Sequence, residues 1–197
     1  MDSPLPEYRK REPKIRVGGW SSIARRIRVP LSFAFAVLYF WLSRPTGKSI
    51  VVGALVAIPG LLIRALASGH VQKNEQLTTS GPYAYTRNPL YLGSLILAVG
   101  FAIAARSWVI VTAMLIIFIA VYLPVIQAEE AFLRGNFPGF GEYASRVPRL
   151  FPRIIAVASY QGKFSWDLYL KHREYNAILG VVAMLAVLIS KLLLFSN

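Results

Sequence analysis

The sequence predicts an all-α fold: a polytopic transmembrane helical bundle of about five spans, with a folded cap of loops on its cytosolic side. The chain is 55% hydrophobic with a mean hydropathy of +0.50, although it carries 22 Lys and Arg. Its apolar residues come in blocks separated by charged connections. Because lipid cannot hydrogen-bond the backbone, and the blocks lack the alternation of barrel strands, we expect helices.

Five blocks are predicted to span the membrane, near residues 29–43, 49–67, 89–105, 109–128 and 175–195. A span needs about 20 apolar residues, with about 17 as a lower limit. The first block is short, which leaves three alternatives open: a tilt, an extension by snorkelling arginines, or a tight hairpin with the second block. Residues 1–28 are predicted to form a basic cytosolic arm, and residues 29–197 a single membrane domain.

The positions of the cations predict the orientation. Seventeen of the 22 lie in the N-terminal arm, the second-to-third connection and the fourth-to-fifth connection. These three segments lie on one side of the predicted bundle, which the positive-inside rule makes cytosolic. The N-terminus is therefore expected in the cytosol and the C-terminus on the opposite side.

The net charge of +13 also invites a nucleic-acid interpretation. Positive-inside topology and attraction to anionic lipid headgroups explain this charge, so no nucleic-acid partner is expected. The chain has no cysteine, and its only histidines are His70 and His172. Thiolate and His-rich metal sites are therefore excluded, and no metal is expected.

Arg87, Asn88 and Pro89 stand where a polar connection enters the third span. Proline suits a first helical turn and keeps the preceding residue out of the helix. Arg87 and Asn88 therefore lie just ahead of a helix N-terminus, where free N–H groups and a guanidinium would receive a carboxylate or phosphate. The alternative is that Arg87 merely snorkels to lipid phosphates.

Glu129 and Glu130 stand side by side after the fourth span, although the chain has only nine acidic residues. Neighbours on a helix point about 100° apart, so one is expected to face inward. That carboxylate would suit paired hydroxyls or an amino group of a bound ligand, unless it only forms a helix-end ion pair. The following residues, 134–152, are rich in glycine, proline and aromatics and are predicted to fold as a cap.

Arg64 and the C-terminal part of the chain can each be interpreted in two ways. Arg64, near the cytosolic end of the second span, either snorkels to the interface or makes a polar contact inside the bundle. The connection 154–176 mixes aromatic residues with cations, as interfacial segments do. The final span after it would either close a binding cleft or mediate dimerisation.

Five stretches together resemble a known family of membrane enzymes. Residues 76–83, 87–91, 129–130, 140–143 and 146–152 are similar, in order and spacing, to the signatures of the isoprenylcysteine carboxyl methyltransferase and phospholipid methyltransferase superfamily. The resemblance covers roughly residues 60–153. It implies an integral-membrane enzyme in which S-adenosylmethionine lies under cofactor-capping cytosolic loops, while a lipophilic acceptor, a membrane lipid or small molecule, arrives from the bilayer.

The resemblance also implies roles for individual residues. Those implied to be catalytic are Arg87, Asn88, Glu129 and Glu130. Those implied to bind the cofactor are Gln76, Leu77, Thr79, Gly81, Tyr83, Arg87, Asn88, Pro89, Tyr91, Glu129, Glu130, Tyr143 and Leu150. Gly93 and Gly100 would permit close approach in the family, and helix packing explains them equally well.

Asn88 departs from the family pattern, which has histidine there. Asparagine can orient a substrate but cannot remove a proton near neutral pH. This favours an acceptor that is already nucleophilic, so the function is predicted to be most like isoprenylcysteine carboxyl O-methylation. Phospholipid (ethanolamine) N-methylation is the alternative, with Glu129, Glu130 or His70 as possible bases. The non-enzymatic alternative is a membrane scaffold or transporter that retains the motif.

Overall fold

The structure is a computed structural model, and it describes residues 23, 31, 34–72, 75–157 and 162–195. All regular secondary structure in these residues is helical, which confirms the all-α prediction. The predicted basic arm, residues 1–28, lies outside the described residues except for Ile23. The beginning of the first predicted span lies largely outside them as well.

Seven helices, labelled in chain order, form the described part of the fold. They are α1 (34–42), α2 (Gly47–Ser68), α3 (Pro89–Ala105), α4 (Trp108–Asn136), α5 (Phe140–Arg146), α6 (Trp166–Lys171) and α7 (Tyr175–Phe195), with a single 3-10 turn at Gly81–Ala84. By length and composition α2, α4 and α7 can cross a membrane, and α3 is a shorter apolar helix of 17 residues. The protein is therefore a helical membrane protein, and the count of about five spans is approximate.

The fourth span runs further than predicted. The sequence suggested an end near residue 128, whereas α4 continues to Asn136 and carries Glu129 and Glu130 within it. Residues 129–134 are mostly good helix formers, and they are followed by Gly135, Asn136 and Pro138, which disfavour a helix. Near its middle α4 contains Pro124, which has no backbone N–H. The residues just before it, Phe118–Tyr122, form a π turn. Such turns occur often at functional sites.

Helices α2 and α3 pack closely because small residues face each other at two levels. A Cβ added to Gly60 would lie 2.7 Å from the Gly93 carbonyl oxygen, and one added to Gly100 would lie 2.5 Å from that of Gly53. In lipid, helices associate through such close packing rather than through a hydrophobic drive. Gly93 and Gly100 thus have the packing role that the sequence allowed.

Lys191, a cation inside the last predicted span, caps the end of α1. Its ammonium donates to the backbone oxygens of Phe40, Trp41 and Ser43. These carbonyls lie in the last turn of α1 and just after it, where backbone oxygens lack intrahelical N–H donors. The contact therefore satisfies both the lysine and the helix end.

The other end of the bundle, called here the loop face, gathers the polar connections. The C-termini of α2 and α4 and the N-termini of α3 and α7 lie there. Three backbone hydrogen bonds join the segment before α3 to the segment after α5: Arg87 N to Pro148 O (2.9 Å), Arg153 N to Tyr85 O (3.0 Å) and Val157 N to Ala84 O (3.1 Å). Two segments some 60 residues apart thus form one cap over the helix ends.

The glycine contacts between α2 and α3 yield a stability prediction. Gly60→Val places a branched side chain against the α3 backbone, and overpacking of this kind costs about 1–3 kcal/mol or more. We expect the thermal midpoint in detergent to fall by several degrees. Gly180→Val is the matched control, because a side chain at Gly180 in α7 would meet nothing within 4 Å. Equal midpoints for the two variants would contradict the packing role.

Candidate functional site

A cavity of about 750 Å³ opens at the loop face, between the ends of α2, α3, α4 and the chain before α7. This volume lies within the roughly 300–1,000 Å³ typical of small-molecule sites. Polar, aromatic and aliphatic residues line it. They are Arg64, Ser68, Val71, Gln72, Gln76, Leu77, Thr78, Tyr83, Arg87, Asn88, Pro89, Leu90, Tyr91, Ser94, Tyr122, Val125, Glu129, Phe132, Leu133, Tyr143, His172 and Glu174.

Glu130 lies just behind this wall and is only 6% exposed. Its Oε1 accepts a hydrogen bond from Asn88 Nδ2 at 3.0 Å, and its Oε2 accepts from Arg149 Nε at 3.0 Å. Arg87 Nε lies 3.5 Å from Oε1. A buried carboxylate needs such partners, because leaving water without them is costly. Glu130 therefore joins α4, the start of α3 and the segment after α5.

Asn88 and Thr86 fasten the same segments through backbone oxygens. Asn88 Nδ2 also donates to Arg149 O at 2.9 Å, and Thr86 Oγ1 donates to Leu150 O at 2.9 Å. Both side chains are buried. Leu150 therefore contributes its backbone carbonyl here, and its side chain is not part of the cavity wall.

Arg87 faces the cavity with a side chain that is 12% exposed. Its Nε lies within ion-pair distance of Glu130, yet it makes no hydrogen bond to any described residue. The guanidinium is thus held by charge, without an aligned hydrogen bond. Because charge-assisted bonds to carboxylates are strong, this group is suited to receive an anionic part of a ligand.

Glu129 and three tyrosines form the adjoining wall. Tyr91 donates its hydroxyl to Glu129 Oε1 at 3.0 Å, and Tyr143 donates to the backbone oxygen of Tyr83 at 2.8 Å. Burial raises the pKa of Tyr83 far above its ordinary value, with smaller contributions from Tyr143 and then from the Glu129 carboxylate. Burial also raises the pKa of Tyr143. Both phenols therefore stay neutral at physiological pH.

Arg64 and Glu174 form an ion pair across the cavity floor. Arg64 Nε donates to Glu174 Oε1 at 2.6 Å, and its Nη1 donates to Ser94 Oγ at 2.5 Å. Glu174 is 9% exposed. Of the two interpretations of Arg64, the structure shows the polar contact inside the bundle. Glu174 was not predicted, because its partner is 110 residues away and no local pattern marks it.

A second, smaller cavity of about 170 Å³ adjoins the first. Its walls are almost entirely apolar and come from α1, α3 and α4, including residues of the π turn. Two residues, Ser94 and Tyr122, line both cavities. The two cavities therefore border the same two side chains.

Most of the residues singled out in the sequence converge on the larger cavity. Its wall contains Gln76, Leu77, Tyr83, Arg87, Asn88, Pro89, Tyr91, Glu129 and Tyr143. Thr79, Gly81, Glu130 and Leu150 are not on the wall. Gly81 has φ +59 and packs against the His70 ring, which would lie 2.6 Å from an added Cβ. His70 itself is also off the wall.

The fold is that of a helical membrane protein with a cavity of small-molecule size at one end of its bundle. Residues 50–139 match the family model described as phospholipid methyltransferase. The chain belongs to this family, within the superfamily of integral-membrane methyltransferases that includes the isoprenylcysteine carboxyl methyltransferases. No solved structure gives a significant match.

Two curated relatives carry names that refer to metal resistance. The chain is 34% identical over 170 residues to the cobalt-zinc-cadmium resistance protein CzcN of Cupriavidus metallidurans, covering 82% of this chain and 73% of the relative. It is 31% identical over 154 residues to the nickel-cobalt-cadmium resistance protein NccN of Alcaligenes xylosoxydans xylosoxydans, covering 77% and 70%. The described residues of this chain contain no group of three or more His, Asp or Glu that could hold a metal ion.

The Glu130 cluster yields a second stability prediction. Glu130→Ala leaves Arg87 without its buried partner, and breaking such a pair costs about 3–5 kcal/mol when both groups are fully buried. Because Arg149 is half exposed, we expect about 2–3 kcal/mol, measured by denaturation in detergent. Glu142→Ala is the control, since its pair with Arg146 is exposed and worth little. A loss no larger than that of the control would show that Glu130 does not hold the cap together.

Proposed function

We propose that this protein is an S-adenosylmethionine-dependent methyltransferase that acts on a lipophilic acceptor at the membrane boundary. The observation that carries the proposal is the junction of a polar cavity, lined by both family motifs, with an apolar cavity between helices. A cofactor with charged groups fits the first cavity, and an apolar tail fits the second. By the positive-inside rule the loop face and the N-terminus are cytosolic, and the C-terminus is on the opposite side.

The groups in the polar cavity match those of the cofactor. The Arg87 guanidinium can bind the methionine carboxylate, and the Glu129 carboxylate can accept hydrogen bonds from ribose hydroxyls or from an amino group. Tyr83, Tyr91 and Tyr143 offer aromatic faces to the adenine and to the positive sulfonium. Gln76 and Leu77, in the connection between α2 and α3, and Pro89, at the start of α3, also line the cavity. The remaining residues implied by the resemblance, Thr79, Gly81 and Leu150, would act by shaping the loops.

The protein contributes orientation and exclusion of water. S-Adenosylmethionine supplies a methyl group that is already activated by its sulfonium, so the main task is to align an acceptor with it. Glu130 and Asn88 keep the loop segments in register, and Arg87 is held where it reaches the cavity. These residues fix the geometry in which the two substrates meet.

Two acceptor classes remain candidates. A carboxylate like that of an isoprenylated cysteine needs no base and fits Asn88 in place of histidine. A phospholipid amine is the second candidate, favoured by the two carboxylates, Glu129 and Glu174, that face the cavity, because either can take a proton. Metal resistance appears in the names of the two relatives. If this chain contributes to metal resistance, we propose that it does so by methylating a membrane component.

Cofactor binding is tested by calorimetry with S-adenosylhomocysteine, the demethylated product, on protein in detergent. We expect wild type to bind it and Arg87→Ala to weaken binding at least tenfold, because a charge-assisted hydrogen bond is worth about 1.5–3 kcal/mol. Glu129→Gln should also weaken binding, since the amide is a poorer acceptor. Glu142→Gln, on the exposed face of α5, is the control and should bind like wild type.

The non-enzymatic alternative, a membrane scaffold or transporter, makes the opposite prediction. A wild-type protein that releases no heat with millimolar S-adenosylhomocysteine would refute the proposed function. Binding that survives in Arg87→Ala and Glu129→Gln would refute only the assignment of those residues. Transfer of a labelled methyl group to a panel of lipids, prenylcysteine analogues and thiols then identifies the acceptor.

A further inference from the structure

We propose that Arg64, Ser94 and Glu174 form the subsite for the reactive group of the acceptor, and that this group carries an N–H or O–H that Glu174 receives. The inference rests on the proposed function and deepens it. It concerns residues outside the motifs that carry the family resemblance, and Glu174 lies beyond the family match at residues 50–139.

The position of the three side chains follows from the two cavities. The acceptor tail belongs in the apolar cavity and the cofactor in the polar one, so the reacting atom must lie where they join. Ser94 lines both cavities, and Arg64 donates to its hydroxyl at 2.5 Å. Glu174 is attached to the same guanidinium at 2.6 Å. The ion pair therefore stands at the point where the two substrates would meet.

The local backbone aims Glu174 into the cavity. Arg173, just before it, has φ 52, a left-handed conformation that costs about 1 kcal/mol or more in a residue other than glycine. The His172 ring is fixed by a contact of its Nδ1 with Ser68 O at 3.1 Å. Glu174 N then donates to Tyr169 O at 3.3 Å, at the turn between α6 and α7. With the bond from Arg173 N to Leu170 O at 3.0 Å, this forms a Schellman motif, which ends α6 and sets where Glu174 stands at the start of α7.

Of the three carboxylates near the cavity, Glu174 is the one whose partner, Arg64, also contacts Ser94, a residue that lines both cavities. Glu130 is engaged at both oxygens by Asn88 and Arg149 and is not on the wall. Glu129 accepts from Tyr91. Glu174 uses Oε1 for Arg64, and its Oε2 accepts no hydrogen bond from the described residues. A ligand donor at this oxygen would complete the site.

The charge of the pair selects the class of acceptor. Arg64 already neutralises the charge of Glu174. An acceptor carboxylate would therefore have to displace Glu174 Oε1 from Arg64, and it would be repelled by Glu174 Oε2. An amine or a hydroxyl instead donates its hydrogen to Oε2 and leaves the ion pair intact. The subsite therefore favours a protic nucleophile on an apolar tail, found either in a lipid amine or in a lipid or aromatic alcohol.

The chemical step is balanced with Glu174 as proton acceptor. The nitrogen or oxygen attacks the methyl carbon as the sulfur–carbon bond breaks, and the electron pair of that bond returns to sulfur to give a neutral thioether. A hydroxyl releases its proton to the Glu174 carboxylate as its oxygen is methylated, whereas an ammonium releases a proton to that carboxylate before its nitrogen attacks. In either case Glu174 becomes a neutral acid. No other reagent is required. Arg64 is a positioning residue, since it acts by holding Glu174 and Ser94.

The test uses three short probes with the same tail: hexylamine, hexan-1-ol and hexanoate. Each is titrated into the full-length protein saturated with S-adenosylhomocysteine in detergent. We expect hexylamine and hexan-1-ol to bind wild type at least tenfold more tightly than hexanoate. Glu174→Gln should lose at least tenfold in affinity for hexylamine, while its affinity for S-adenosylhomocysteine stays within twofold of wild type. Glu142→Gln is the matched control.

Each outcome decides between the alternatives. Tighter binding of hexanoate than of hexylamine, binding of no probe, or equal hexylamine affinity in wild type and Glu174→Gln would overturn the subsite. Those results leave the proposed function intact if wild type binds S-adenosylhomocysteine. Loss of S-adenosylhomocysteine affinity in Glu174→Gln would instead assign the residue to the cofactor. Transfer of a labelled methyl group to hexylamine or to hexan-1-ol shows whether the acceptor group is an amine or an alcohol. The comparison of the three probes on wild type is informative even if Glu174→Gln does not fold.

Discussion

The buried carboxylate of Glu130 is the interaction on which the site depends. It meets Asn88 from the start of α3 and Arg149 from the segment after α5, with Arg87 at ion-pair distance. A charge in this position is tolerated only because these partners replace its water. These hydrogen bonds and the ion pair fix the position of α4 relative to the two segments of the cap. The cavity wall that carries Arg87 and Glu129 is a consequence of that arrangement.

Adjacent residues on α4 consequently have different tasks. Because successive helical side chains diverge by about 100°, Glu130 points under the cap while Glu129 lines the cavity and accepts from Tyr91. The extension of α4 to Asn136 makes this possible, since both glutamates need helical geometry to diverge in a fixed way. The two adjacent glutamates therefore have different roles: Glu130 holds the cap, and Glu129 is available to a ligand.

The sequence predicted what depends on local pattern. Apolar blocks located α2, α3 and α7 to within a few residues, because length and hydropathy decide what can cross lipid. The motif residues Arg87 and Glu129 were brought to one cavity as expected. The sequence did not predict the pairing of Arg64 with Glu174, since an ion pair between residues 110 apart depends on how α7 packs against α2. The resemblance implies that Leu150 binds the cofactor; in the structure its backbone carbonyl, which any residue would provide, accepts a hydrogen bond from Thr86.

Asn88 shows how the residue that departs from the family pattern is used. Its amide donates to Glu130 Oε1 and to Arg149 O at once, so it works as a fixed double donor at the base of the cap. An amide keeps both hydrogens at every physiological pH, whereas an imidazole would change its hydrogen bonding with its protonation state. The position is therefore suited to holding the cap rather than to moving a proton. Any proton released in the proposed reaction must pass to another group, and the cavity-lining side chains that can receive it are those of Glu129, Glu174 and His172.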